Sequence, residues 1–140
     1  MKAKDLMIGD WVNYHDDDKI VPKRVSEITN FKQLQLADKD NWIIVGEKYC
    51  DPIPLTAEIL GKNGFSKYDF EHIAGQHKWS WWRDTGSLVS LWCRNLGDDP
   101  GDGWMVRIES PDATCCRRVD SVHELQHALR LCGIEKEINL

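Results

Sequence analysis

Apolar and polar residues alternate in short runs through the first fifty positions, and such alternation is typical of half-buried strands. The pattern predicts strands at residues 11–14, 20–28, 33–36 and 42–45. Pro22 indicates an edge position or a bulge in the second of them, because proline cannot donate to a strand ladder. Short strands at this spacing predict a small curled antiparallel sheet or barrel.

The second half has a strand pattern of its own, at residues 79–83, 88–94, 104–109 and 114–119. A short helix separates the two sets, with Thr56 as its N-cap and Asn63-Gly64 as a left-handed end. The prediction is an α+β fold with predominantly antiparallel β structure. Its parts are a barrel-like subdomain at 1–54, a helical connector at 55–65, and an antiparallel sheet packed by a C-terminal helix at 66–140. A single compact unit is also compatible with the pattern.

The last helix has well-defined ends at both termini. Ser121 and Glu124 form a capping box at its start, and Gly133 ends it in a Schellman motif, so the helix is predicted at 122–132. A helical wheel gathers an aliphatic stripe that must face the core: Val122, Leu125, Ala128, Leu129 and Cys132. The opposite side is predicted to face solvent: His123, Gln126, His127 and Arg130.

This helix spells H-E-x-x-H from His123 to His127, the signature of zinc metallopeptidases. In that reading His123 and His127 are zinc ligands and Glu124 is the general base. The extended signature would need glycine and histidine where the chain has Arg130 and Gly133, so a third ligand at a recognisable spacing is missing. We therefore predict no metal site and no cofactor, and zinc-dependent hydrolysis remains the alternative.

Tryptophan is abundant, with seven residues, and three of them lie together in one predicted strand. Strand geometry places Trp79 and Trp81 on one face and Trp82 on the other. Large rings at these positions favour a packed core. The alternative is an aromatic surface that, with Arg83 and Arg94, binds a ligand or single-stranded nucleic acid.

Charge and cysteine content restrict the partners and the compartment. The net charge of −5 makes nucleic acid an unexpected partner, because binding phosphate needs an excess of lysine and arginine. Five cysteines without a C-x-x-C pair favour reduced thiols in the cytoplasm. Cys115 and Cys116 are neighbours on a predicted strand and point to opposite faces. Neither a signal peptide nor a membrane-spanning segment is expected.

Short phrases in the chain resemble known proteins. I-G-D-W-V near the start resembles the opening of SH3-like barrels. Three longer segments, M-K-A-K-D-L-x-I-G-D-W-V, P-I-P-L-T-A-E-I-L-G-K-N-G-F and V-H-E-L-Q-H-A-L-R-L-C-G-I-E, together resemble a family of short, uncharacterised proteins of gut Bacteroidetes and their phages. This resemblance implies no activity, cofactor or catalytic residue. The closing motif of that family usually has another residue at the position of His127, which implies that the H-E-x-x-H pattern is incidental.

The sequence contains no complete catalytic constellation, so the expected function is that of a non-catalytic cytoplasmic binding or accessory module. Its partner is an unidentified protein or small ligand. The family resemblance implies an origin in phage or mobile elements. The sequence decides neither whether the chain is an enzyme nor what its oligomeric state is.

Overall fold

The structure is a computed structural model that describes residues 1–29, 32–38, 41–71, 78–84, 89–93, 103–109 and 114–140, with the backbone alone for residues 69–71, 78–81, 92 and 93. The strands are β1 Trp11–Asp16, β2 Lys19–Ile28, β3 Gln33–Ala37, β4 Trp42–Gly46, β5 Cys50–Pro52, β6 Phe65–Glu71, β7 Lys78–Asp84, β8 Val89–Cys93, β9 Trp104–Glu109 and β10 Thr114–Val119. The α-helices are α1 Ala57–Lys62 and α2 Val122–Leu131, and short 3-10 helices span Ala3–Asp5 and Glu47–Tyr49. The predicted α+β class, mostly antiparallel β with a C-terminal helix, is confirmed.

The chain divides into two compact units. The first contains Met1–Ile53 together with Ser121–His123, and the second contains Pro54–Asp120 together with Glu124–Leu140. In the described part of the chain, no helix is both long enough and apolar enough to cross a membrane.

The first unit is a five-stranded antiparallel sheet in the order β4-β3-β2-β1-β5. Buried residues on one face of it form a core together with Ala3 and Leu6, which precede the sheet: Val12, Val25, Leu34, Leu36 and Cys50. Among the described residues Pro22 pairs with Asn13 of β1 alone, and the register with β3 begins two residues later, at Arg24, which is compatible with the predicted edge position. The bulge lies further along β2, between Val25 and Glu27. In the described residues β4 and β5 each pair on one side only, so closure into a barrel is not confirmed.

The second unit is a five-stranded antiparallel meander in the order β10-β9-β8-β7-β6. Its buried positions alternate along the central strands because one face of the sheet forms the core. Leu91, Val106 and Ile108 are fully buried there, and Trp104 beside them donates from Nε1 to the Leu55 carbonyl at 2.8 Å. Strand β6 was not predicted from the sequence. It pairs with β7 along its whole length, from Phe65 opposite Asp84 to Glu71 opposite Lys78.

Both helices end where their local sequence predicted. Thr56 Oγ1 accepts from the Ile59 amide at 3.3 Å at the start of α1, and Gly64 after its end has φ +80°. At the end of α2, the Gly133 amide bonds the Arg130 carbonyl and the Ile134 amide bonds the Leu129 carbonyl, each at 3.0 Å. With φ +70° at Gly133, this pair of bonds is the predicted Schellman motif.

Candidate functional site

The prediction that both imidazoles of α2 face solvent is wrong for His123. Its side chain is buried, with the residue 6% exposed, and its Nδ1 lies 3.1 Å from Ser121 Oγ. Gln126, expected on the same exposed side, is also buried, whereas His127 is half-buried and Arg130 is exposed. The helix therefore buries more than its aliphatic stripe, because a polar ring with a hydrogen-bond partner can be enclosed at little cost.

Glu124 caps the start of α2. One of its carboxylate oxygens accepts from the Asp120 amide at 2.7 Å. This bond reaches the residue just before Ser121, the predicted N-cap. The carboxylate also lies at the positive end of the helix dipole, which stabilises its charge.

The two histidines of the motif thus lie in different surroundings, one enclosed and one partly accessible. Among the residues that the structure describes, no three His, Cys, Asp or Glu side chains form a group able to hold a metal ion. A zinc ion on His123 and His127 would need a third protein ligand. No described side chain is placed to supply one.

The tryptophan-rich strand is β7, and most of the site predicted there lies outside the described residues. This applies to the side chains of Trp79 and Trp81 and to Arg94. Arg83 is exposed, as a ligand-binding residue would need to be. Trp82 is 8% exposed, and its ring edge lies 3.9 Å from where a Cβ on Gly61 would stand, so it packs beside α1.

A surface that the sequence did not reveal lies on the first sheet, on the side opposite its core. The strand register places Trp11, Arg24, Ala37 and Trp42 in one row across β1, β2, β3 and β4, and their neighbours Val12, Val25, Leu36 and Ile43 belong to the core side. The Arg24 guanidinium lies over the Trp11 ring, 4.8 Å from its centroid. Trp42 is 64% exposed and Ile44, two residues along the same strand, is 51% exposed. We call this row together with Ile44 the outer face.

Strand β4 forms one margin of the outer face and is also an edge of the sheet. Edge strands in natural proteins are usually protected by charges, by proline or by shortness, because their free backbone groups invite pairing with another chain. The described sheets have edges at β4, β5, β6 and β10. Strand β5 has three residues with Asp51 and Pro52, β6 contains Lys67, and β10 contains Arg117 and Arg118. The sequence of β4, W-I-I-V-G, contains none of these protections.

The sequence contained one signal of this site. Residues 42–45 are apolar on both faces, a pattern that usually marks a strand buried in the middle of a sheet. The absence of any charge in an edge strand is the feature that sequence reasoning missed, since edge position depends on pairing with distant segments.

No protein-family model matches this chain, and neither a curated protein nor a solved structure does.

Proposed function

We propose that this chain is a non-catalytic, cytoplasmic binding module that takes an extended segment of a partner protein along β4. The observation that carries the proposal is β4, an edge strand of the described sheet without charge or proline, in which Trp42 is 64% exposed and Ile44 is 51% exposed. Strand addition of this kind derives affinity from backbone hydrogen bonds and specificity from alternating side chains.

The surroundings of β4 determine the chemistry of the partner segment. On one side of the sheet an added strand would lie beside Trp42 and Ile44, which are exposed. On the other side it would lie beside Ile43 and Val45, which are partly buried and pack against the core. A segment of about five residues that is apolar on both faces and uncharged at its centre fits both sides. A charged residue at its centre would lose hydration without gaining a partner.

Two further features support a binding role. The Trp11 ring and the Arg24 guanidinium are held together at 4.8 Å, which gives the outer face a fixed aromatic and cationic surface next to Ala37. Trp42 and Ile44 on this face are both more than half exposed, and neighbouring exposed apolar side chains are typical of interaction sites. The odd number of cysteines supports the cytoplasmic assignment, and the family resemblance supports an accessory role associated with phages or mobile elements.

We also propose that the first sheet curls toward an SH3-like barrel with β4 left as its open margin. The return of β5 to pair with β1 and the bulge in β2 support this, because a bulge increases strand twist and bends a sheet. Nuclear Overhauser contacts between neighbouring strands would test the curl directly.

A matched pair of substitutions tests the binding surface. Ile44→Lys introduces a charge in β4, and Ile20→Lys introduces the same charge at a residue of β2 that is 61% exposed and pairs with His15 of β1. Both changes are on the surface and should alter the unfolding free energy by less than about 0.5 kcal/mol. Circular dichroism checks that each variant is folded.

The probe is a set of twelve-residue peptides selected from a display library on the wild-type protein. We expect Ile44→Lys to weaken the selected peptides at least about tenfold, which is about 1.4 kcal/mol, and Ile20→Lys to leave their affinity unchanged. Bound peptide should slow amide hydrogen exchange at residues 42–46. Equal loss in both variants, or no protection of β4, would overturn the proposal. A concentration-dependent dimer that Ile44→Lys abolishes would identify a second copy of β4 as the occupant and would also overturn the choice of a different partner.

A further inference from the structure

Two thiols of the second unit meet between β10 and the end of α2. Cys115 in β10 pairs with Ile108 in β9, and Ile108 is fully buried. Directly opposed residues of neighbouring strands face the same side of a sheet, so Cys115 lies on the core side. Its neighbour Cys116 is exposed, as the alternation of a strand requires.

The second thiol continues the buried stripe of α2. Cys132 follows Leu125 and Leu129 by seven and three residues, and both leucines are fully buried. Its amide bonds the Leu129 carbonyl at 3.1 Å within the Schellman motif, which fixes the backbone there. The side chains of Cys132 and Cys115 are joined by a hydrogen bond.

Accessibility distinguishes this pair from Cys50. Cys115 and Cys132 are both half-buried, so a small reagent can reach them, whereas Cys50 is buried. Burial raises the pKa of the Cys132 thiol, and the neighbouring Cys115 raises it further, so Cys132 is held as a thiol at neutral pH. Exchange should therefore become faster as the pH rises, because the thiolate is the attacking form.

We propose that Cys115 and Cys132 form a reversible disulfide by exchange with a low-molecular-weight disulfide such as oxidised glutathione. One protein thiol loses its proton and attacks a glutathione sulfur, which breaks the glutathione disulfide and releases one glutathione thiol. The other protein thiol then attacks the mixed disulfide and releases the second glutathione. The protein loses two hydrogens and two electrons, and glutathione disulfide gains them.

The bond would enclose all of α2 in a covalent loop. It would tie the residue after the last turn of α2 to the edge strand β10, where the hydrogen bond now joins the same two sulfurs. A cross-link that matches the native arrangement restricts the unfolded chain more than the folded one.

The full chain is incubated with oxidised glutathione and digested with trypsin. Mass spectrometry then identifies the peptides that are joined by a disulfide bond. Cleavage after Arg117 and Arg130 places Cys115 and Cys132 in separate peptides, so their bond is seen as a linked pair with two hydrogens lost. Cys115 and Cys116 share one peptide, and Cys116→Ser is therefore the matched control. We expect the linked pair in the wild type and, undiminished, in Cys116→Ser.

Cys115→Ser and Cys132→Ala should each abolish the link and leave the remaining thiol free or bound to a single glutathione. Loss of the link in Cys116→Ser, a wild type with glutathione on both Cys115 and Cys132 and no link between them, or a link to Cys50 or Cys93 would overturn the proposal. Fragmentation of the linked wild-type peptides between Cys115 and Cys116 identifies the bonded residue and decides the question even if a variant fails to fold.

Discussion

Two tryptophans of the second unit differ in whether a described residue accepts a hydrogen bond from the indole N–H. The same substitution should therefore affect their stability contributions differently. Trp104 is fully buried and donates to the Leu55 carbonyl at 2.8 Å. Trp82 is 8% exposed, and among the described residues its Nε1 has no hydrogen-bond partner. Phenylalanine at either position keeps an aromatic ring and removes the N–H group.

The expected costs share one contribution and differ in another. The smaller ring loses apolar contacts at both sites, for about 1–2 kcal/mol. Trp104→Phe also loses a hydrogen bond and leaves the carbonyl of buried Leu55 without that donor, which adds about 1–3 kcal/mol. Trp82→Phe removes a buried donor that is unpaired, which recovers about 1–3 kcal/mol. We therefore expect Trp104→Phe to destabilise the protein by about 2–5 kcal/mol and Trp82→Phe to change its stability by less than about 2 kcal/mol.

Urea unfolding followed by far-ultraviolet circular dichroism measures both values without using tryptophan fluorescence, which the substitutions themselves change. The slope of the unfolding free energy against urea concentration is compared as well. A variant with a different slope has a changed unfolded state, and its free energy is then not comparable. Equal destabilisation of the two variants would refute the reasoning, because the hydrogen bond would then contribute nothing that the ring does not. A larger loss in Trp82→Phe would refute it as well.

Three further outcomes are expected. Gly133→Ala should cost about 1 kcal/mol through its φ of +70° alone, because no atom of the described residues lies within 4 Å of the added Cβ. Gly103→Ala should lower the melting temperature further, since its Cβ would collide with the Asp120 carboxylate. Burial raises the pKa of Cys50 from 9.0 to about 11. Between these pH values the folded state keeps a proton that the unfolded state loses. The unfolding free energy should therefore fall by up to about 2 kcal/mol between pH 9 and 11. Urea midpoints of the wild type should show this loss, and those of Cys50→Ala should lack it. Glu124→Ala should cost about 1 kcal/mol in urea unfolding by removing the acceptor of the Asp120 amide, and Glu124→Gln should recover part of it.

The features that the sequence predicted best depend on a few neighbouring residues. Thr56 caps α1 and Gly133 closes α2 as expected, because each of these interactions needs only residues within one helical turn. The strands with clear alternation were also located to within a few residues. Local chemistry sufficed for these elements, and no knowledge of the tertiary fold was needed.

The features that the sequence did not predict depend on which segments become neighbours. Strand β6 was missed because its sequence, F-S-K-Y-D-F-E, has charged residues that an edge strand tolerates and that weaken the apolar alternation. Strand β4 has the composition of a central strand and yet lies at an edge. The candidate binding surface therefore became visible only once the pairing order of the strands was known.

The burial of His123 has a local cause that a helical wheel does not include. The wheel counts imidazole as polar and assigns it to solvent, but Ser121 Oγ lies 3.1 Å from its Nδ1 and gives the ring a partner two residues away. Glu124 is third in the helix, where it reaches the Asp120 amide beyond the helix start. In the middle of a helix every backbone N–H group is already bonded within the helix. A glutamate between two histidines there finds no free N–H group from which to accept a hydrogen bond. An H-E-x-x-H pattern that begins in the first turn therefore places its glutamate where helix capping competes with any catalytic role.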